Sequence, residues 1–136
     1  LKKNQIIPDN NLIIKSIDNE NSEQEMMDLE KQIDYLLDKN FAVDGVFAVN
    51  EIYAAAALKV IRKRKIKVPE QIAIICFTDG VISRYSSPSL STVSQHAEDI
   101  GKTSAELLIN KLNNLSPPEE QITKVIKCSI IERESS

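Results

Sequence analysis

Short apolar runs alternate with stretches of helical period through the first half of the chain, and this order limits the fold more than any other feature. The runs are Leu12-Ile13-Ile14, Asp44–Val49 and Ile72–Phe77. Between the first two, Met26, Leu29, Ile33, Leu36 and Leu37 recur at helical spacing. Ser22 followed by Glu25 fits a capping box, so a helix is expected from about Glu23 to Lys39. Asn50 stands where the next helix needs an N-cap. Ala54–Ala57, Leu58, Val60 and Ile61 carry that helix to about Lys65. Four successive alanines make a thin surface that allows close packing. Val68-Pro69-Glu70 breaks the helix, and Ile72–Phe77, the most apolar run, is expected to be a central strand. Strand, helix, strand, helix, strand argues an α/β fold with a parallel sheet and right-handed crossovers.

The second half reads differently. Residues 81–91 look like a polar loop containing Pro88, and Ser91-Thr92-Val93 like a short extended piece. His96 to Asn113 reads as a helix, with Ile100, Ser104, Leu107, Leu108 and Leu112 sharing a face. A loop with Pro117 and Pro118 follows. Ile122 to Ile131 is expected to be a last strand, Ile126, Cys128 and Ile130 alternating with Lys127 and Ser129.

Charge and composition exclude several classes. The net charge of −3 offers no basic footprint for nucleic acid. The basic run Arg62–Lys67 suits a solvated helix end, where cations meet the negative pole of the helix dipole. No aromatic residue is interleaved with it, as single-strand binding would require. Cys76 and Cys128 sit in apolar strand-like runs and are expected to be buried free thiols of a reducing cytosol. No metal-ligand spacing exists, and His96 is the only histidine. No apolar run reaches the length of a membrane span.

No catalytic set emerges either. His96 has no evident nucleophile partner, and the Ser-rich stretch Ser83–Ser94 lacks a strained nucleophile turn. The glycines are Gly45, Gly80 and Gly101, which build no phosphate-cradling loop. No enzyme activity, cofactor or metal is expected. In open parallel sheets, ligands sit beyond the carboxyl ends of the strands. Ser16–Asn19, Asn50–Glu51 and Thr78–Gly80 meet that description, with Gln95 a further polar end. An amide such as that of Asn50 offers both donors and an acceptor, which suits hydroxyl groups. These residues equally suit helix caps and turn closure.

Ordered segments then resemble the lactose-repressor (LacI/GalR) family of bacterial transcription regulators. Ala48-Val49-Asn50-Glu51 and the Ala-rich stretch look like the family's Asn-Asp signature and its helix. Val68-Pro69-Glu70-Gln71-Ile72 resembles its Val-Pro-Glu/Asp-x-hydrophobic segment. Ile75-Cys76-Phe77-Thr78-Asp79 is similar to its Gly-Phe-Asp-Asp turn. Pro88-Ser89-Leu90-Ser91-Thr92-Val93 with Gln95 resembles Pro-x-Leu-Thr-Thr-Val-x-Gln, and Arg133 with Ser135 echoes a closing Arg-x-Ser. The match is in register from about Asp44 to Leu112.

The resemblance implies a periplasmic-binding-protein-like type I fold, a parallel-sheet three-layer sandwich, incomplete and mainly one lobe. Residues 1–95 would be a partial C-terminal lobe. Residues 96–121 would be a helix and loop that pack on the other lobe, and 122–136 a strand returning across the hinge. Segments ahead of Leu1 would hold the DNA-binding headpiece, the first lobe and one mid-sheet strand. The sheet would re-pair to close that gap.

A small effector, a sugar or related molecule, would bind between the lobes. Asn50 and Gln95 match ligand-contacting positions. Thr78 replaces the usual ligand-contacting Asp, and Asp79 matches the second Asp of that pair. Glu51 replaces the Asp after Asn50. Asp18 or a neighbour holds the place of a ring-stacking aromatic. Ala55, Ile82 and Tyr85 fall at dimer-contact positions. The partners implied are the effector and a second copy, as a homodimer or swapped oligomer. DNA is reached only through the headpiece, no membrane is involved, and the location is cytoplasmic. Two alternatives stay open at this point: a sugar-binding receptor of a transport system, and an α/β enzyme or response-regulator-like fragment. The second would need an acidic cluster plus a lysine at the strand ends.

Overall fold

The computed structural model describes residues 7, 9–15, 22–39, 43–113 and 122–136. In chain order these form a 3-10 turn (Asn10–Leu12), α1 (Ser22–Asp38), β1 (Gly45–Ala48), α2 (Glu51–Lys63), β2 (Ala73–Phe77), α3 (Val81–Tyr85), β3 (Ser91–Ser94), α4 (Ala97–Leu112) and β4 (Ser129–Ile131). The sheet order is β1-β2-β3-β4. β1, β2 and β3 are parallel, and β4 runs antiparallel to β3, so the sheet is mixed.

Strand alternation sends Ala48, Ile74 and Cys76 to one face of the sheet. There they pack with Ala54, Leu58 and Ile61 of α2, and with Ile72 and Leu90. The other stripe of α2, Ala56, Ala57 and Val60, packs on Leu29 and Ile33 of α1. The short alanine side chains let α2 lie between sheet and α1, as their run predicts. Arg64 strengthens the helix pair by bonding Asp34 and Asp38 of α1, each at 2.7 Å. Part of the basic run is therefore an ion-pairing element and not a solvated end. On the opposite sheet face Phe47 remains 61% exposed.

Several expectations need correction. Leu12-Ile13-Ile14 is not a strand. The Asp9 carboxylate accepts from the Asn11 N–H and starts a 3-10 turn that ends at Leu12. Such a local side-chain bond competes with extended pairing. The sheet does not re-pair there: β1 is its edge among the described residues.

Residues 81–91 are not all loop, because α3 forms over their first five. Ile122–Cys128 has no regular structure, and the last strand is only Ser129–Ile131. Cys76 is buried as expected, but Cys128 is exposed. Among the described residues its alternating neighbours have no apolar layer to face, so the pattern alone does not bury them. Asp18, Ser16–Asn19, Leu1–Asn4 and the Pro117-Pro118 loop lie outside the described residues.

The C-terminal residues lock onto the sheet. Ser135 is fully buried between the starts of β2 and β3. Its hydroxyl donates to the Ile74 carbonyl at 2.6 Å and accepts from the Ser91 N–H at 2.8 Å. Its carbonyl accepts from the Ile74 N–H at 2.7 Å. Glu134 accepts from the Ser89 N–H and hydroxyl, at 2.8 and 2.9 Å, and these bonds hold its carboxyl below the usual glutamate range.

Candidate functional site

Because β1, β2 and β3 are parallel neighbours, their carboxyl ends share one edge of the lobe. Asn50, Thr78 and Gln95 follow those ends, so three sequence-predicted residues come from three adjacent strands to one edge. Asn50 is the N-cap of α2, extended at φ −154°, and its Oδ1 accepts from the Tyr53 N–H at 2.8 Å. That bond uses the acceptor and leaves the amide NH2 available to a ligand. Gln95 is half-buried and Thr78 is exposed. Thr78 has φ +87°, a left-handed conformation that strains a β-branched residue. Its N–H still donates to the Val93 carbonyl, so the ladder continues through the strained residue.

Asp79 has a different environment. Its Oδ1 accepts from the Arg133 guanidinium and from the Thr92 hydroxyl, and its Oδ2 accepts from Arg84 at 3.0 Å. Burial pushes this carboxyl up, but bonds from Arg133, Arg84 and Thr92 outweigh it and hold the carboxyl below the usual aspartate range. Arg133 also donates to the Leu90 carbonyl at 2.7 Å. The Arg-x-Ser segment therefore ties the chain end to the strand end through Asp79.

Glu51, which the sequence places at a strand end where the family has Asp, turns to another element. Its Oε2 accepts from the Ser83 N–H at 3.0 Å and from the Ser83 hydroxyl at 2.9 Å. Gly80 is the N-cap of α3 and has no side chain to cap it. Glu51 fills that role from another element. A Cβ on Gly80 would lie 2.2 Å from Glu51 Oε1, so the glycine makes room for the carboxylate. Neither Ser83 nor Arg84 carries a sequence signal for this, because their partners are over thirty residues away or across a turn.

Burial raises the Cys76 thiol above its ordinary value, and its Sγ lies 3.6 Å from the Ser83 hydroxyl. His96 is the N-cap of α4 at φ +54°, and its Nε2 shares a 2.9 Å hydrogen bond with Ser129 of β4.

The dimer-contact candidates lie on α2 and α3. Ala55 is half-buried on α2, while Ile82 and Tyr85 are exposed on α3, as is Val81. Among the described residues, no group of three or more His, Cys, Asp or Glu side chains could hold a metal ion. No described helix is long and apolar enough to cross a membrane.

Polar residues at the carboxyl ends of parallel strands occupy the place where open α/β sheets hold ligands. Residues 3–136 match the periplasmic binding protein-like domain family. The chain belongs to this family, in the branch carried by LacI/GalR-type transcriptional regulators. It is 31% identical over 100 residues to the HTH-type transcriptional regulator CelR of Thermobifida fusca, covering 74% of this chain and 29% of that protein. A LacI-family putative regulator structure from Sanguibacter keddieii superposes with a TM-score of 0.82 at 24% identity, over 99% of this chain and 49% of that one. A LacI-family regulator from Arthrobacter in complex with lactose gives a TM-score of 0.73 at 28% identity, over 79% of this chain and 40% of that one. The chain thus spans less than half the length of these relatives.

Proposed function

We propose that this chain is the effector-sensing and dimerisation region of a bacterial LacI-type regulator, which binds a sugar or related small molecule between two lobes. The convergence of Asn50, Thr78 and Gln95 at one edge carries this reading. Backbone strain at Thr78 supports it, since strained residues cluster at ligand sites. The lactose in the Arthrobacter structure supports a sugar as the ligand class. Asp18, which the family resemblance puts at a ligand position, belongs to the same proposal. Asp79 acts at the same edge, where its partners already engage both carboxylate oxygens.

Ala55, Ile82 and Tyr85 form the contact with a second copy, in a homodimer or a swapped oligomer. Residues 1–95 and the terminal segment 122–136 serve one lobe, and residues 96–121 serve the other. DNA is read by a headpiece elsewhere in the full-length protein, in the cytoplasm, and the region catalyses no reaction.

Threonine supplies one hydroxyl where a carboxylate accepts two, and a charge-assisted bond contributes about 1.5–3 kcal/mol. Monosaccharide affinity is therefore expected to be weak beside that of a relative with Asp there. The test is calorimetry on the full-length protein with cellobiose, lactose and common monosaccharides. Asn50→Ala is expected to lower the affinity of whichever sugar binds by about tenfold or more. Equal affinity in the variant would remove Asn50 from the site.

A further inference from the structure

Two cleft-edge residues, Asn50 and Thr78, are each followed directly by an acidic residue that grips α3. Glu51 takes the Ser83 N–H and hydroxyl, and Asp79 takes the Arg84 guanidinium. Nothing about a cleft requires this, because both carboxylates could have faced water or a ligand. α3 has only five residues, and Ser83 is its buried member. A helix this short has little stability of its own, so its position depends on what holds it. The side away from Ser83 shows Val81 at 71% exposure and Tyr85 at 84%.

Consecutive Cα atoms lie about 3.8 Å apart, so any shift of Asn50 or Thr78 moves the neighbouring carboxylate with it. The two grips also come from different strand connections, β1 to α2 and β2 to α3. Relative movement of those connections would tilt α3 instead of merely carrying it along.

We infer that Glu51 and Asp79 are positioning residues that make α3, with its exposed apolar face, follow the cleft edge. This inference rests on the effector-sensing reading above and names the parts through which that site reaches the contact surface. Gly80 belongs to the device, because its missing side chain leaves the space that the Glu51 carboxylate occupies. Arg133 steadies the second grip by bonding the other oxygen of Asp79.

A double-mutant cycle on the full-length protein tests the coupling without needing the effector. Amide hydrogen exchange is followed across residues 81–85, with β2 and β3 as internal references. Asn50→Ala is expected to speed exchange in α3 by about tenfold in the wild-type background, and by less than about twofold in the Glu51→Gln background. Gly80→Ala should speed α3 exchange alone, leaving β2 and β3 unchanged, whereas Asp79→Asn should speed α3 exchange most and that of β3 less, because Asp79 also accepts from Thr92. Glu30→Gln, which removes the surface partner of Lys59, serves as the control and should change nothing in α3.

A merely structural role for Glu51 predicts equal effects of Asn50→Ala in both backgrounds, and that result overturns the inference. So does acceleration spread evenly over β2, β3 and α3. Sedimentation of the same proteins separates the two claims. A monomeric wild type defeats the dimer reading, while the exchange cycle still decides the coupling. In a dimeric wild type, Glu51→Gln should raise the dimer Kd by about tenfold. An unchanged Kd would overturn the claim that α3 carries the contact.

Discussion

α2 and α4 are both helices of regular amphipathic sequence, yet they end in opposite states. Six residues of α2 are buried, including Ala54 and Ile61 at zero exposure. Every residue of α4 keeps part of its side chain exposed, and Leu112 is 72% exposed. The difference does not lie in period or capping residues. α2 meets a sheet on one stripe and α1 on another, whereas α4 leaves the lobe after His96 and meets no layer among the described residues. Amphipathic spacing states that a helix has a face to bury, and only a partner buries it. An apolar face left open on a helix is consistent with the proposal that this segment docks on another lobe.

The comparison can be broken most directly in α2. Ile61→Ala in this chain should lower stability by about 2–5 kcal/mol, because it leaves a cavity between helix and sheet. A urea midpoint close to wild type would show that α2 is not packed as described. Next in size is Ser135→Ala. It strips the Ile74 carbonyl and the Ser91 N–H of a buried partner and should cost about 1–3 kcal/mol. Denaturant unfolding read from tyrosine fluorescence would check it.

Acidification should act on the same strap. The Asp79 carboxyl titrates lower when folded than when unfolded, so the unfolded chain binds its proton first. Its stabilising effect is complete above the ordinary aspartate value of 3.8 and is lost as pH falls through the lower folded value. Asp79→Asn should therefore flatten the pH dependence of the urea midpoint in that acid window. An unaltered slope would mean that the ion pair with Arg133 contributes nothing. The smallest effect is expected from Leu108→Ala on α4, within about 0.5 kcal/mol in this chain. A loss near that of Ile61→Ala would show that α4 is covered after all.

Much of the architecture was legible in local sequence. Asn50 stands before an alanine run as an N-cap should, and its side-chain Oδ1 accepts from the Tyr53 N–H. The unbroken apolar character of Ile72–Phe77 points to the sheet interior, and β2 lies between β1 and β3. The same logic fails at Leu12-Ile13-Ile14, where a shorter apolar run has no described strand beside it. It fails again at Cys128, whose alternation has no layer behind it among the described residues. α3 was missed because its cap is Glu51, thirty-two residues from Ser83, and helix signals are normally sought within a few positions. Of the candidate edge, Asn50, Thr78 and Gln95 were readable as polar residues after strands. The engagement of Asp79 by Arg133 and Arg84 was not.

By itself the sequence determined α1, β1, α2, β2 and α4 in their order and pointed to the family to which the chain belongs. These depend on period, capping and short motifs, all of which act between near neighbours. The tertiary structure alone decided which faces found a partner, where the Arg-x-Ser segment inserted and which carboxylates hold α3. Those outcomes depend on contacts between distant residues, whose energy exists only once the sheet has brought them together.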